Sequence, residues 1–180
     1  MGNQTIQITQ RMKIRIKHIL VILAGCLIFG SCTTIEYYQK FEAFEDQTWR
    51  ENDTISFEFE IKDTVSRYAI SLLVRHYSDY FYKNLWVMQK VTTPSGQVLE
   101  LKKDLDLCDK SGKWHGMYLN DVVSAQIPTE NFVRFSEPGT YKYEFVQLMR
   151  NPAVGSLINF GMKVQKMSKN DTERANNSGN

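Results

Sequence analysis

The chain has 180 residues, with 22 Lys and Arg against 20 Asp and Glu, and three cysteines. Arg11, Lys13, Arg15 and Lys17 precede Cys32 and no acidic residue does, which leaves 18 basic and 20 acidic side chains from Cys32 onward. The apparent basicity therefore belongs to the N-terminus, and the rest of the chain gives no electrostatic case for nucleic acid as a partner.

Behind those basic residues and His18, Ile19 to Phe29 forms an eleven-residue apolar run. A helix needs about 20 apolar residues to cross a bilayer, so the run reads as the hydrophobic stretch of an export signal. Gly30-Ser31 leads directly into Cys32, a pattern that resembles a bacterial lipoprotein signal, in which the cysteine is lipid-modified and begins the mature chain. Leu23-Ala-Gly-Cys26 is a competing site, but cutting there shortens the apolar run, so Cys32 is preferred over Cys26. Met1 to Gln10 carries no charge, which places the start at Met12 and makes residues 1–31 the signal. With Cys26 removed and Cys32 lipidated, Cys108 is the one thiol left and reads as a buried small side chain.

Residues 32–53 are polar with scattered aromatics and read as a lipidated tether running into the first packed residues, Tyr37, Tyr38, Phe41, Phe44 and Trp49 among them. From Thr54 the pattern turns two-residue. Ile55, Phe57, Phe59 and Ile61 alternate with Ser56, Glu58 and Glu60, as a half-buried strand requires. Tyr68 to His76 repeats the pattern after a turn at Asp63 to Ser66. Leu85 to Val91 and Gln97 to Leu107 form a further pair about Pro94-Ser-Gly96, a turn in which Pro presets φ and Gly accepts a positive φ. Leu99, Leu101, Leu105 and Leu107 share the core parity of the second strand.

Asp109 to Gly116 is a break, Val122 to Ile127 a short strand ended by Pro128, and Phe132 to Phe135 another. Thr140 to Met149 follows, then Leu157 to Lys166 with Ile158, Phe160, Met162 and Val164 inward. Residues 168–180 are polar and read as a disordered tail. Seven or eight short strands with turns between them and no amphipathic helix indicate one all-β domain over 54–167, an antiparallel β-sandwich of the immunoglobulin or jelly-roll kind.

The residues offer little chemistry. Asp104 and Asp106 lie on the solvent parity beside Asp109, without the glycine-spaced loop that a calcium site needs. His76 and His115 lack further metal ligands or an activated nucleophile, and no hydrolase or metalloprotease motif is present. No catalytic residue, metal or cofactor is expected beyond a lipid on Cys32, and no small-molecule substrate. The most site-like feature is the aromatic set Tyr77, Tyr80, Phe81 and Tyr82, joined by Trp114 and His115 as a candidate interaction surface. Its alternative role is to cover the open end of the sandwich. A carbohydrate- or peptide-binding lipoprotein using these rings is the second functional reading.

Ser56 to Ile61, Asp79-Tyr-Phe-Tyr-Lys-Asn-Leu85, Pro94-Ser-Gly96, Asp109-Lys-Ser-Gly-Lys-Trp-His-Gly116, and Val133-Arg-Phe with Pro138-Gly-Thr-Tyr141 follow the lipoprotein signal in the same order as in GldH. The chain thus resembles that family of gliding-motility lipoproteins of Bacteroidetes. The resemblance implies a non-enzymatic accessory lipoprotein of the gliding and type IX secretion machinery, with envelope proteins as partners. It carries over one residue with a role, Cys32, as the lipidation site. Thr33 is not acidic, which favours the outer membrane.

Overall fold

The computed structural model describes residues 36–168. The signal, Cys26, Cys32 and residues 169–180 of the expected tail lie outside the described residues. The strands are β1 (Glu36–Ala43), β2 (Trp49–Arg50), β3 (Ile55–Ile61), β4 (Tyr68–Tyr77), β5 (Asn84–Thr92), β6 (Val98–Asp106), β7 (Met117–Leu119), β8 (Val122–Val133), β9 (Gly139–Gln147), β10 (Ala153–Val154) and β11 (Leu157–Lys166), with one 3-10 turn at Glu45–Gln47. They form a five-stranded antiparallel sheet, β1-β11-β4-β8-β7, and a four-stranded one, β3-β9-β5-β6, with β10 and β2 paired separately.

The inner faces follow the predicted alternation. Ile55, Phe57, Phe59 and Ile61 of β3 meet Tyr68, Ile70, Leu72 and Val74 of β4 in one buried cluster with Tyr141, Tyr143 and Phe145 of β9. Phe160 sits at its centre, 4.9 Å from the Trp49 ring and 5.1 Å from Phe145. Burial of each such side chain stabilises the fold by about 1.5–3 kcal/mol.

Four expectations need correction. The segment expected as a tether contains β1, an edge strand in full register with β11 from Tyr38↔Val164 to Ala43↔Asn159. Its core parity carries Tyr38, Lys40 and Glu42, so the alternation is hidden. Tyr38 packs on Phe59, while Lys40 and Glu42 pair at the rim. Trp49 is fully buried, its Nε1–H donating to Asp53 O.

Pro128 does not end a strand. β8 runs through it to Val133, because β7 covers only Val122 to Ser124 and leaves the missing N–H on an open edge. Phe132 takes φ +66° at its end, and Phe135 enters the core from the loop beyond.

In β11 a register shift between Leu157 and Asn159, beside Ser156 at φ +61°, turns Leu157 inward in place of the expected Ile158. Leu105 of β6 and Leu107 just beyond it are buried as expected, but Leu99 is 56% and Leu101 37% exposed. Between Leu101 and Leu105 the same parity holds Lys103, whose Nζ reaches Glu130 Oε1 of β8 at 3.0 Å. The core closes at that ion pair, and the first half of β6 projects past it.

The sandwich has two ends. At one lie Glu36, Lys166, Tyr68 and Val133 of the larger sheet with Ile61, Gly139, Thr92 and Val98 of the smaller. At the other lie the connections β4–β5, β6–β7 and β9–β11 and the start of β3.

Candidate interaction surface

The aromatic set collects at that second end, around a buried histidine. His76, the last inward residue of β4, is fully buried. Its Nδ1–H donates to Tyr77 O at 2.8 Å, while Nε2 is buried without a partner. Burial holds its pKa below the ordinary value, since the protonated ring would lose its hydration. The Trp114 ring stands edge-on to it at 4.7 Å and the Tyr80 ring lies at 5.3 Å.

Tyr80 is 3% exposed, its hydroxyl donating to Asn84 O, and burial raises its pKa. Trp114 Nε1–H donates to Ser78 O at 3.2 Å, which ties the two loops together. Tyr80 therefore serves as part of the cover of the core, while Trp114, half-buried, packs against that cover and keeps part of its ring in solvent.

The loop that presents Trp114 gives Asp109, Gly112, Trp114 and Gly116 of Asp109-Lys-Ser-Gly-Lys-Trp-His-Gly116 each a structural role. Asp109 Oδ1 accepts from Ser111 N–H, Ser111 Oγ and Lys113 N–H at 2.8, 2.6 and 3.0 Å. These bonds, the serine hydroxyl first, hold its carboxyl below the usual range. Gly112 takes φ +86° at the tip. At Gly116, φ +102°, a Cβ would stand 2.1 Å from Ser124 O, so only glycine fits. Cys108 bridges to Trp114 along the backbone and is half-buried, less enclosed than the sequence suggested.

What remains exposed lies beside this cover. Phe81 is 87% exposed and touches the half-buried Tyr82 at 5.2 Å between ring centres. Tyr77 is half-buried, and His115 is exposed at the end of the Asp109 loop. Phe81 and Tyr82 border a shallow depression of about 300 Å³ with Asp79, Asn151 and Gly155. Tyr82 also borders one of about 490 Å³ with Trp86, Leu148, Met149 and Arg150. Trp86, Leu148 and Met149 were not foreseen. The available signal was Trp86, a large ring on the solvent parity of β5 between the inward Leu85 and Val87. Backbone and thioether contacts, Leu148 N–H to Trp86 O at 2.8 Å and Trp86 N–H to Met149 Sδ at 3.2 Å, join the two segments.

Among the described residues no three His, Cys, Asp or Glu side chains gather as a metal ligand set. Asp104 is instead bound by Asn84 Nδ2 at 2.6 Å. Among the described residues no helix is long and apolar enough to cross a membrane.

A profile of the GldH lipoprotein family matches residues 36–164, from the first residue of β1 almost to the end of β11. The chain belongs to the GldH lipoprotein family. It is 26% identical over 132 residues to a gliding motility lipoprotein GldH homolog of Christiangramia forsetii, covering 73% of this chain and 80% of that one. It is 21% identical over 136 residues to the gliding motility lipoprotein GldH of Flavobacterium johnsoniae, covering 76% and 84%. Among solved structures, a GH115 4-O-methyl-α-glucuronidase with specificity for decorated arabinogalactans overlaps 77% of this chain and 18% of its own, at 8% identity and a TM-score of 0.41. A likeness of that order says nothing about ligand or partner.

Proposed function

We propose that the protein is a lipid-anchored, non-enzymatic accessory component of the gliding-motility and type IX secretion machinery. It is held at the outer membrane through Cys32 and engages envelope proteins through Phe81, Tyr82, Trp86 and Leu148. The observation that carries this reading is the family match across the whole sandwich. The surface supports it, because large apolar and aromatic side chains exposed together beside a cation, Arg150, have the composition of protein contact sites. The second reading, a glycan or peptide platform, loses Tyr80 to the core and is left with Phe81, Trp86 and the half-buried Trp114. A clean deletion complemented with wild type or Cys32→Ala tests the assignment. Loss of secretion or gliding in the deletion, restored by wild type and not by Cys32→Ala, is expected; unimpaired secretion and gliding in the deletion would refute it.

A further inference from the structure

If Cys32 carries the lipid, the chain between anchor and fold is very short. Thr33, Thr34 and Ile35 alone separate it from Glu36, the first residue of β1, and four residue steps reach at most about 14 Å. The second end of the sandwich lies beyond β1, eight residues long, or roughly 27 Å at the rise of a strand. The anchor therefore holds the first end within reach of the headgroups, and Phe81 and Trp86 stand at the other.

The first end is built accordingly. In the β3–β4 loop, the Asp63 carboxylate accepts from Val65 N–H at 2.9 Å, Ser66 N–H at 3.0 Å, Ser66 Oγ at 2.7 Å and Lys166 Nζ at 2.5 Å. Its carbonyl accepts from Tyr68 OH. This rigid, wholly polar scaffold displays a valine at its tip, Val65, 80% exposed. Across the same end, Val98 and Leu99 follow the β5–β6 turn at 55% and 56% exposure. That turn is fixed to the β8–β9 loop by Ser95 N–H and Oγ on Glu137 Oε1 at 3.1 and 2.6 Å.

Charge follows the same axis. Segments 62–67, 93–97 and 134–138 hold three basic and two acidic side chains, whereas 44–54, 78–83, 107–116, 120–121 and 148–156 at the other end hold five basic and seven acidic. Lys62 and Arg134 are exposed, Lys62 within 3.6 Å of the exposed Glu60. Exposed apolar tips flanked by cations suit the interfacial layer of a bilayer, where the apolar group enters the acyl boundary and the cation meets phosphate.

We propose that this end rests on the lipid headgroups, with Val65, Val98 and Leu99 as footholds, and that the Phe81 end is thereby turned toward the protein partners. The proposal rests on lipidation at Cys32 and goes beyond it, since an anchor alone does not orient a domain.

The test uses the full chain, processed and lipidated, reconstituted into vesicles of phosphatidylethanolamine and phosphatidylglycerol. A nitroxide is placed at Val65→Cys or Phe81→Cys, each with Cys108→Ser, and its collision with a water-soluble nickel chelate is measured by power saturation. Several-fold protection at position 65 on reconstitution, relative to the same chain in detergent micelles, with position 81 equally accessible in both, is the expected result. Equal access at both positions, or protection at 81, would overturn it. Mass analysis of the N-terminal peptide separates the two claims: a lipid on Cys26 instead, ten residues from Glu36, refutes the anchor assignment itself. Lipid confirmed on Cys32 with position 65 unprotected refutes only the orientation.

Discussion

His76 and Gly116 carry the sharpest single-residue consequences. The folded-state pKa of His76 lies below its ordinary 6.5 because burial disfavours the charged ring, so the unfolded chain binds this proton more readily. The neutral ring's contribution is complete above about pH 6.5 and is lost as pH falls below it through the folded value. Asp63 and Asp109 act with the same sign in the carboxylate range, each depressed by its hydrogen bonds. Urea midpoints measured across pH should therefore begin to fall below about 6.5, and His76→Leu should move that onset down to the carboxylate range. The variant leaves no orphan, because Tyr77 O keeps the Tyr80 N–H bond at 3.1 Å. Gly116→Ala, with its Cβ driven into the β8 backbone, should cost more than about 2 kcal/mol in the same urea titration at neutral pH. Gly112→Ala, which meets no neighbour, pays only for its positive φ, on the order of 1 kcal/mol.

At the level of elements, the edges explain both what the sequence showed and what it concealed. β3, β4 and β9 carry an inward face along their length, so their alternation is legible, whereas in β11 it slips at the register shift beside Ser156. β1 and β6 sit at opposite edges of the two sheets and carry charges at core parity, Lys40 and Glu42 on one and Lys103 on the other. Such charges keep an edge from pairing with another chain, and they also break the pattern by which a strand is recognised. That is why β1 reads as a tether; Leu99 and Leu101 read as buried because they share the parity of Leu105, although the core ends at Lys103. Lys103→Leu should raise the light-scattering aggregation rate at a given concentration. Trp49→Ala should cost about 3–5 kcal/mol, an outcome foreign to a tether and measurable by thermal or urea unfolding.

For the whole molecule, the two ends divide the work. The candidate surface was only half legible: the Tyr77–Tyr82 stretch and Trp114 mark the end where the rings gather, yet periodicity does not tell a ring that closes the core, Tyr80, from its neighbour left in solvent, Phe81. Trp86 and Leu148 joined the surface through a backbone pairing between residues 62 positions apart, which no local pattern reveals. The exposed rings are the working part, and their replacement by small polar side chains leaves the core untouched, with an effect on stability within about 0.5 kcal/mol. The decisive measurement is therefore secretion and gliding in a deletion strain complemented with Phe81→Ser/Trp86→Thr, expressed and lipidated to wild-type levels; threonine at 86 keeps a strand former opposite Asp104. Loss of both activities with unchanged thermal stability is the predicted result; full complementation by the double variant would contradict the account.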